Sequence, residues 1–374
     1  GGDSNKNKRI SDDVKYHYGC ANDEIKLENG KIIHGILMYN PSHLESVNGV
    51  VYGYTHAIQN LSKFDKKDTI GILIHGDASF NGQGVVYESL QFNRLENYSA
   101  NGIIHVIVNN NIGFTTESID YSSSPNSSTI GSTFDLPALR VNGNCIESII
   151  CAAKLASIYR NAFNKDILVE INGNNWYRKF GHNEMDEPSM TQPEAYTLIN
   201  SNSEPTPVNS LKNSQNFLKY KDDLNIESMI ENNYKKLENS LSKIDKASSK
   251  EVFKMSTFAQ HQLNGNKNNL LTQKTIEDIF GSFLKSIKKV EAHRSVARTF
   301  ATKNKLLETN GKLDWSSAEL LAIASLLKDG ISVRIAGQDV QRGTFTQKHH
   351  YIHNQKPPYE KISIFDSIMS MNGS

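Results

Sequence analysis

Two short stretches hold residues that could do chemistry together. In "TIGILIHGDASFNGQGVVYESL" an acid, Asp77, follows an apolar run and precedes Gly82 and Gly84. In "HVIVNNNIGF" the amides Asn109, Asn110 and Asn111 follow another apolar run and lead into Ile112 and Gly113. A carboxylate and amide oxygens suit a hard cation such as Mg²⁺, which takes oxygen donors in octahedral geometry and keeps places for phosphate. Gly76, Gly82 and Gly84 would let backbone come close to a diphosphate. Two other glycine-based sites are excluded. A dinucleotide fingerprint needs a glycine where Tyr87 stands, and the Gly-Lys-Ser/Thr of a P-loop is absent. The same residues also read as a helix cap at Asp77 and a polar asparagine loop. Spacing alone leaves both readings open.

The elements that must position these residues form an α/β pattern. "GILIHG", "GIIHVIVNN" and "DILVEING" read as buried strands, short, rich in Ile and Val and bounded by Gly and Asn. "CIESIICAAKLASIYRNAFN" has apolar residues at helical spacing before the third of them. Strand, helix, strand predicts a parallel sheet with right-handed crossovers and ligands at the carboxyl ends of the strands, where both motifs lie. From about 201 to 310 the chain turns rich in Lys, Asn and Ser, with helical periodicity in "IEDIFGSFLKSIKKV", and reads as a helical linker with mobile loops. From about 313 the α/β texture returns. "DWSSAELLAIASLLKDG" predicts a helix ended by Gly330 and "ISVRIAG" a strand after it. A helix and one or two strands cannot close a parallel domain, so this zone reads as cut short.

The 374 residues allow two or three domains. With 41 basic against 40 acidic residues, the net charge near +1 gives no bulk reason to seek nucleic acid or an anionic membrane. No apolar run approaches the roughly 20 residues needed to span a bilayer. Cys20, Cys145 and Cys151 include no C-x-x-C, which fits a reducing compartment and supplies no metal framework. The Gly-Gly start reads as that of an excised piece, from which targeting cannot be read.

Many stretches together resemble a known family. They are "DVKYHYG" (13–19), "NPSHLESV" (40–47), "HGDASFNGQGVVYESL" (75–90), "HVIVNNNIGFTT" (105–116), "SSPNSS" (123–128), "GHNEMDEPSMTQPEAY" (181–196), "LDWSSAE" (313–319) and "GQDVQRGTFTQKHHYIHNQ" (337–355). In this order they are similar to the thiamine-diphosphate-dependent first component of the 2-oxoglutarate dehydrogenase complex. They cover most of 13–200 and 311–356 and almost nothing of 201–310.

The resemblance implies a thiamine-diphosphate/Mg²⁺-binding α/β domain over 1–200, a divergent helical linker over 201–310 and the truncated start of a pyrimidine-binding α/β domain over 311–374. It implies Mg²⁺ ligation by Asp77, the Asn110 side chain and the Ile112 carbonyl, with Gly76, Ala78 and Ser79 beside the diphosphate. Ser42, His43 and Leu44 would line the cofactor and substrate pocket, His17 would meet the 2-oxo acid, and His182 would sit near the cofactor. His17, Ser42, His43 and His182 are thus the candidate catalytic residues. Each has a plainer reading: His17 as a surface histidine, Ser42 as a cap after Pro41, and His182 with Glu184 and Asp186 as loop. The "KHHYIH" run lacks a cysteine or further ligand that would make it a zinc site. The activity implied is oxidative decarboxylation of 2-oxoglutarate in the tricarboxylic acid cycle, with succinyl transfer to a lipoyl arm. The implied partners are the dihydrolipoyl succinyltransferase, dihydrolipoyl dehydrogenase and a second copy in a homodimer. The implied compartment is the mitochondrial matrix, or the cytoplasm of a bacterium. A 2-oxoadipate-preferring homologue and a catalytically incomplete fragment are the alternatives.

Three positions depart from the family pattern: Asp12 for Gly, Asn111 for Gln and Arg140 for His. The family's "HRGRLN" segment would precede residue 1, and its pyrimidine-binding glutamate would follow Ser374. Residues 1–374 alone are therefore expected not to turn over 2-oxoglutarate.

Overall fold

The computed structural model describes residues 17–173 apart from 28 and 62–64. It also describes 193–194, 197, 207–213, 225–244, and 271–369 apart from 311–312. The chain divides into two units, residues 1–242 and 243–374.

In the first unit an antiparallel hairpin, β1 (Cys20–Lys26) with β2 (Ile32–Leu37), is followed by α1 (Val47–Leu61). A four-stranded parallel sheet then forms from β3 (Gly71–Gly76), β4 (Ile103–Asn109), β7 (Ala138–Asn142) and β8 (Ile167–Asn172), in the order β3-β4-β8-β7. The three predicted strands and the parallel sheet are as expected. β7 is an additional edge strand. The short helices α2 (Asp77–Gly82) and α3 (Gly84–Gln91) follow β3 directly, and α5 (Ile146–Phe163) crosses from β7 to β8. A two-residue hairpin, β5 (Ile112–Gly113) with β6 (Thr116–Glu117), and α4 (Ser118–Tyr121) stand between β4 and β7.

Alternation along the strands explains the layering. One sheet face turns Leu73, Ile103, Ile107 and Leu168 toward α1, α2 and α3, where they pack with Tyr52, Phe80, Val86 and Leu90. The other turns Ile104, Ile167 and Val169 toward Ala152 and Ala156 of α5. Each such large side chain contributes about 1.5–3 kcal/mol on burial. Arg160 of α5, fully buried, reaches across to bond the carbonyls of Lys67 and Thr69 (both 2.6 Å) and Gly102 (3.3 Å). Gly102 has φ +97°, and a Cβ there would stand 2.7 Å from both Arg160 Cγ and the Lys165 carbonyl oxygen. Glycine is required at that approach.

Next along the chain come α6 (Pro207–Lys212) and α7 (Ile226–Ile244). In the second unit α8 (Gln273–Lys288), α9 (Arg294–Asn310) and α10 (Trp315–Lys328) pack with a short hairpin, β9 (Tyr351–His353) and β10 (Lys361–Ser363), and α11 (Asp366–Met369). Phe280, Phe283, Phe300, Leu320, Ile352, Ile364 and Ile368 share one core. Gly330, at φ +75°, ends α10 as expected, its amide bonding Leu327 O while Ile331 N–H bonds Leu326 O. The strand expected at "ISVRIAG" is not formed. Residues 331–336 make no ladder and Ile331 is half exposed. Apolar alternation marks a strand only where a neighbouring strand accepts its hydrogen bonds. Among the described residues no helix is long and apolar enough to cross a membrane.

Asp314 caps α10 by accepting the Ser317 amide at 2.7 Å, and Lys303 Nζ stands 3.1 Å away. Partial burial opposes its charge, but the Ser317 and Lys303 hydrogen bonds prevail and lower its pKa to about 2. A depressed carboxylate stabilises the fold above its unfolded pKa, and the contribution is lost as pH falls from about 4 toward 2. Asp314→Ala is expected to cost about 1 kcal/mol at neutral pH, with the difference vanishing near pH 2, read by denaturant titration across pH.

Candidate active site

β3 and β4 run parallel with Gly76 beside Val108, so the residues after each strand emerge at one end of the sheet. Asp77 opens α2; the N-cap position itself belongs to Gly76. The Asp77 side chain is nearly inaccessible, at 2% exposure. Its carboxylate accepts the Tyr121 hydroxyl at 2.5 Å and backbone amides that include those of Ala78 and Asn110. Burial raises its pKa above the ordinary carboxylate value, and these hydrogen bonds oppose the rise.

Asn110 Oδ1 accepts the Ile112 amide at 3.1 Å, a turn that holds the side chain beside the strand end and starts β5. The sequence motif suggested three amides for a cation. The structure engages the first of them elsewhere. Asn109 is buried and donates to Glu170 at 2.9 Å. Asn111, at φ +54°, bends its amide back to Asn109 Oδ1 at 3.2 Å. Asparagine tolerates that left-handed geometry, which accounts for Asn111. Arg140, another departure, donates to Ser128 Oγ at 2.9 Å and stands 3.6 Å from Glu170. Asp12, and His182 with Glu184 and Asp186, lie outside the described residues.

The Ser42–Leu44 segment forms a second wall. His17 Nε2 lies 2.8 Å from Ser42 Oγ, so two motifs 25 positions apart meet. Ser42, His43 and Leu44 are exposed, while the next residue, Glu45, is buried. Glu45 ties this wall to the β3 turn. Its Oε1 accepts Ser79 Oγ at 2.6 Å, and its Oε2 lies 2.6 Å from His75 Nδ1 and accepts Asn48 Nδ2 at 2.9 Å. Burial alone would raise its pKa; the bonds from His75, Ser79 and Asn48 outweigh that and hold Glu45 below the usual value.

A buried polar chain continues behind it. His75 Nε2 is 3.0 Å from His105 Nδ1, with the rings stacked at 5.2 Å. His105 Nε2 is 3.1 Å from the Tyr52 hydroxyl, which donates to Asp166. Asp166 in turn accepts the Ile103 amide at 2.7 Å. Sequence reasoning missed Glu45, Tyr121 and this chain. The available signal was a histidine interrupting each of two apolar strands.

The donor set fits a hard cation with a diphosphate: a buried carboxylate, an adjacent amide and open backbone. A Cβ on Gly82 or Gly84 would meet nothing within 4 Å, and on Gly76 only Ser79 Oγ at 3.6 Å. A cleft of about 320 Å³ lined by Asn81, Tyr87, Tyr121 and Asn126 opens beside the turn. Among the described residues no three His, Cys, Asp or Glu side chains gather as a metal site, so a cation here would rely on amide and carbonyl oxygens beside Asp77.

Comparison with known proteins identifies the family. Residues 19–253 match the model of the dehydrogenase E1 component, and residues 311–370 match the transketolase pyrimidine-binding domain. The chain is 36% identical over 370 residues to a 2-oxoglutarate dehydrogenase E1 component of Geobacillus sp. (strain WCH70), covering 94% of this chain and 37% of that protein. It is 38% identical over 360 residues to one from Rickettsia felis (92% and 35%). It is 37% identical over 359 residues to a mitochondrial 2-oxoglutarate dehydrogenase of Dictyostelium discoideum (92% and 34%). The chain thus spans about a third of the length of these relatives. With a parallel sheet that brings Asp77 and Asn110 together and a match over more than half its residues, the chain belongs to the dehydrogenase E1 component family.

Proposed function

We propose that this chain carries the diphosphate- and Mg²⁺-binding part of a thiamine-diphosphate-dependent 2-oxoglutarate dehydrogenase. The observation that carries the reading is Asp77, buried at a strand end under the Asn110 amide. A carboxylate whose charge is penalised by burial gains most from a cation. Asp77, the Asn110 side chain and the Ile112 carbonyl would hold Mg²⁺, and Gly76, Ala78 and Ser79 would flank the diphosphate. When bound, thiamine diphosphate supplies the electron sink for decarboxylation. His17 and Ser42, already hydrogen-bonded, would face the 2-oxo acid with His43 and Leu44, and His182 would lie near the cofactor. Histidine and serine donors suit a dicarboxylate substrate. The acyl product would pass to a lipoyl arm on a dihydrolipoyl succinyltransferase, with dihydrolipoyl dehydrogenase completing the complex around a homodimer. The match at 311–370 supports placing the start of the pyrimidine-binding part there. The mitochondrial and bacterial relatives support the mitochondrial matrix or a bacterial cytoplasm as its compartment.

The test is 2-oxoglutarate-dependent reduction of an electron acceptor by the natural full-length protein with thiamine diphosphate and Mg²⁺, beside 2-oxoadipate. Turnover that prefers 2-oxoglutarate is expected. No turnover of either acid, with the cofactor bound, would overturn the reading.

A further inference from the structure

Glu45 stands out because it combines burial, strain and position. It is 9% exposed and has φ +65°, a left-handed conformation that costs a non-glycine residue free energy. Neither its motif nor the candidate site residues need a carboxylate there. Yet both oxygens are engaged, by Ser79 on one side and by His75 and Asn48 on the other. Strain of this kind persists where surrounding bonds over-determine the residue. The backbone agrees: the Asn48 amide bonds Glu45 O at 3.1 Å, and the Ser46 hydroxyl bonds His43 O at 2.7 Å. Glu45 thus joins the Ser42–Leu44 wall to the Gly76–Ser79 turn.

We propose that Glu45 is a positioning residue that locks these two walls together, so that the cation–diphosphate site is preformed before its ligand arrives. The role rests on the proposed function only in the identity of that ligand. A preformed site binds more tightly because less ordering is left to do on binding. The histidine chain behind Glu45 is what makes the lock rigid. His75 cannot turn away without leaving His105, and His105 is held by Tyr52, which Asp166 holds. Ser79 Oγ stands 2.6 Å from Glu45 Oε1 and 3.0 Å from the Gly76 carbonyl oxygen, and the shorter distance, to a carboxylate, favours Glu45 as the acceptor of its one proton.

Two measurements on the natural full-length protein test this. The first is hydrogen exchange of the ligand-free protein. Glu45→Ala is expected to speed exchange across residues 42–48 and leave β8 unchanged. The second is calorimetric titration of Mg²⁺-thiamine diphosphate. Loss of a charge-assisted bond is expected to weaken affinity roughly ten-fold or more in Glu45→Ala. Glu45→Gly, which relieves the strained φ, should weaken it equally, while Glu45→Gln should recover part of the loss. In a Ser79→Ala background, Glu45→Ala should cost less than in the wild type, because the two act as one unit. Restored affinity in Glu45→Gly would show that only the backbone shape matters and overturn the role. Unchanged exchange at 42–48 would overturn it as well. Should Glu45→Ala fail to fold, the Gln and Ser79 variants carry both measurements. If the wild type binds no thiamine diphosphate, the functional reading fails, while the exchange result still decides whether the lock exists.

Discussion

Asp77→Asn is expected to make the empty protein more stable and to abolish its Mg²⁺-dependent cofactor binding. Both effects come from one cause. Burial penalises the Asp77 charge, and the Tyr121 hydroxyl and backbone amides offset only part of the penalty. A carboxylate with a raised folded pKa weakens the fold above that pKa, and the weakening is absent below the unfolded value of about 4. The variant should therefore melt higher at pH 7 and lose its advantage as pH falls below about 4. Asparagine can still accept the Tyr121 bond, so the shape of the turn is kept. For the ligand the balance reverses. Losing even an outer partner of a metal ligand costs about 10–100-fold in affinity, and losing the charged ligand itself should exceed that. Melting curves across pH, with titrations of Mg²⁺ and thiamine diphosphate, read both arms. A variant that melts lower while binding cofactor normally would show that Asp77 serves only the turn.

Arg160→Ala is expected to give the largest loss of stability. The guanidinium holds the carbonyls of Lys67, Thr69 and Gly102, which fixes the entry to β3 and β4 against α5. Removing a buried charged donor and leaving its acceptors unmet costs on the order of 3–5 kcal/mol. At roughly 2–4 °C per kcal/mol, the melting temperature should fall by about 10 °C. Arg160→Lys should rescue little, because one ammonium cannot reproduce the planar fork. Calorimetry decides it; a fall below about 2 °C would mean the carbonyls find other donors.

These two residues mark what the sequence disclosed. Asp77 could be read because its motif is local: an acid directly after an apolar strand, with glycines beyond. β3, β4, β8 and α5 were equally legible, since their apolar periods report burial directly. Arg160 could not be read, for its carbonyl partners lie 58 positions away at Gly102 and more than 90 away in 66–69, and nothing in "SIYRNAF" distinguishes it from a surface arginine. The Glu45–His75–His105–Tyr52–Asp166 chain was hidden for the same reason. Only sheet register, with Leu73 beside His105 and His75 beside Ile107, puts the two histidines on one face. β7 escaped notice because an edge strand is half exposed and its pattern is weak. "ISVRIAG" misled in the opposite way, offering a strand pattern without a partner.

The order of the strands has a consequence for how the protein is made. β4 lies between β3 and β8, yet β8 is the last of the four to be translated. At about 5–20 residues per second, β3 waits on the order of 5–20 s after leaving the ribosome before β8 follows it. During that interval His105 and Ile103 lack Asp166, and Gly102 lacks Arg160. Nascent chains stalled before residue 160 should therefore be open to protease around 66–76 and 102–109, and chains released past residue 173 should be closed there. The ligand site would then be the product of a late event in synthesis, although every residue that frames it on β3 has been outside the ribosome for most of that time.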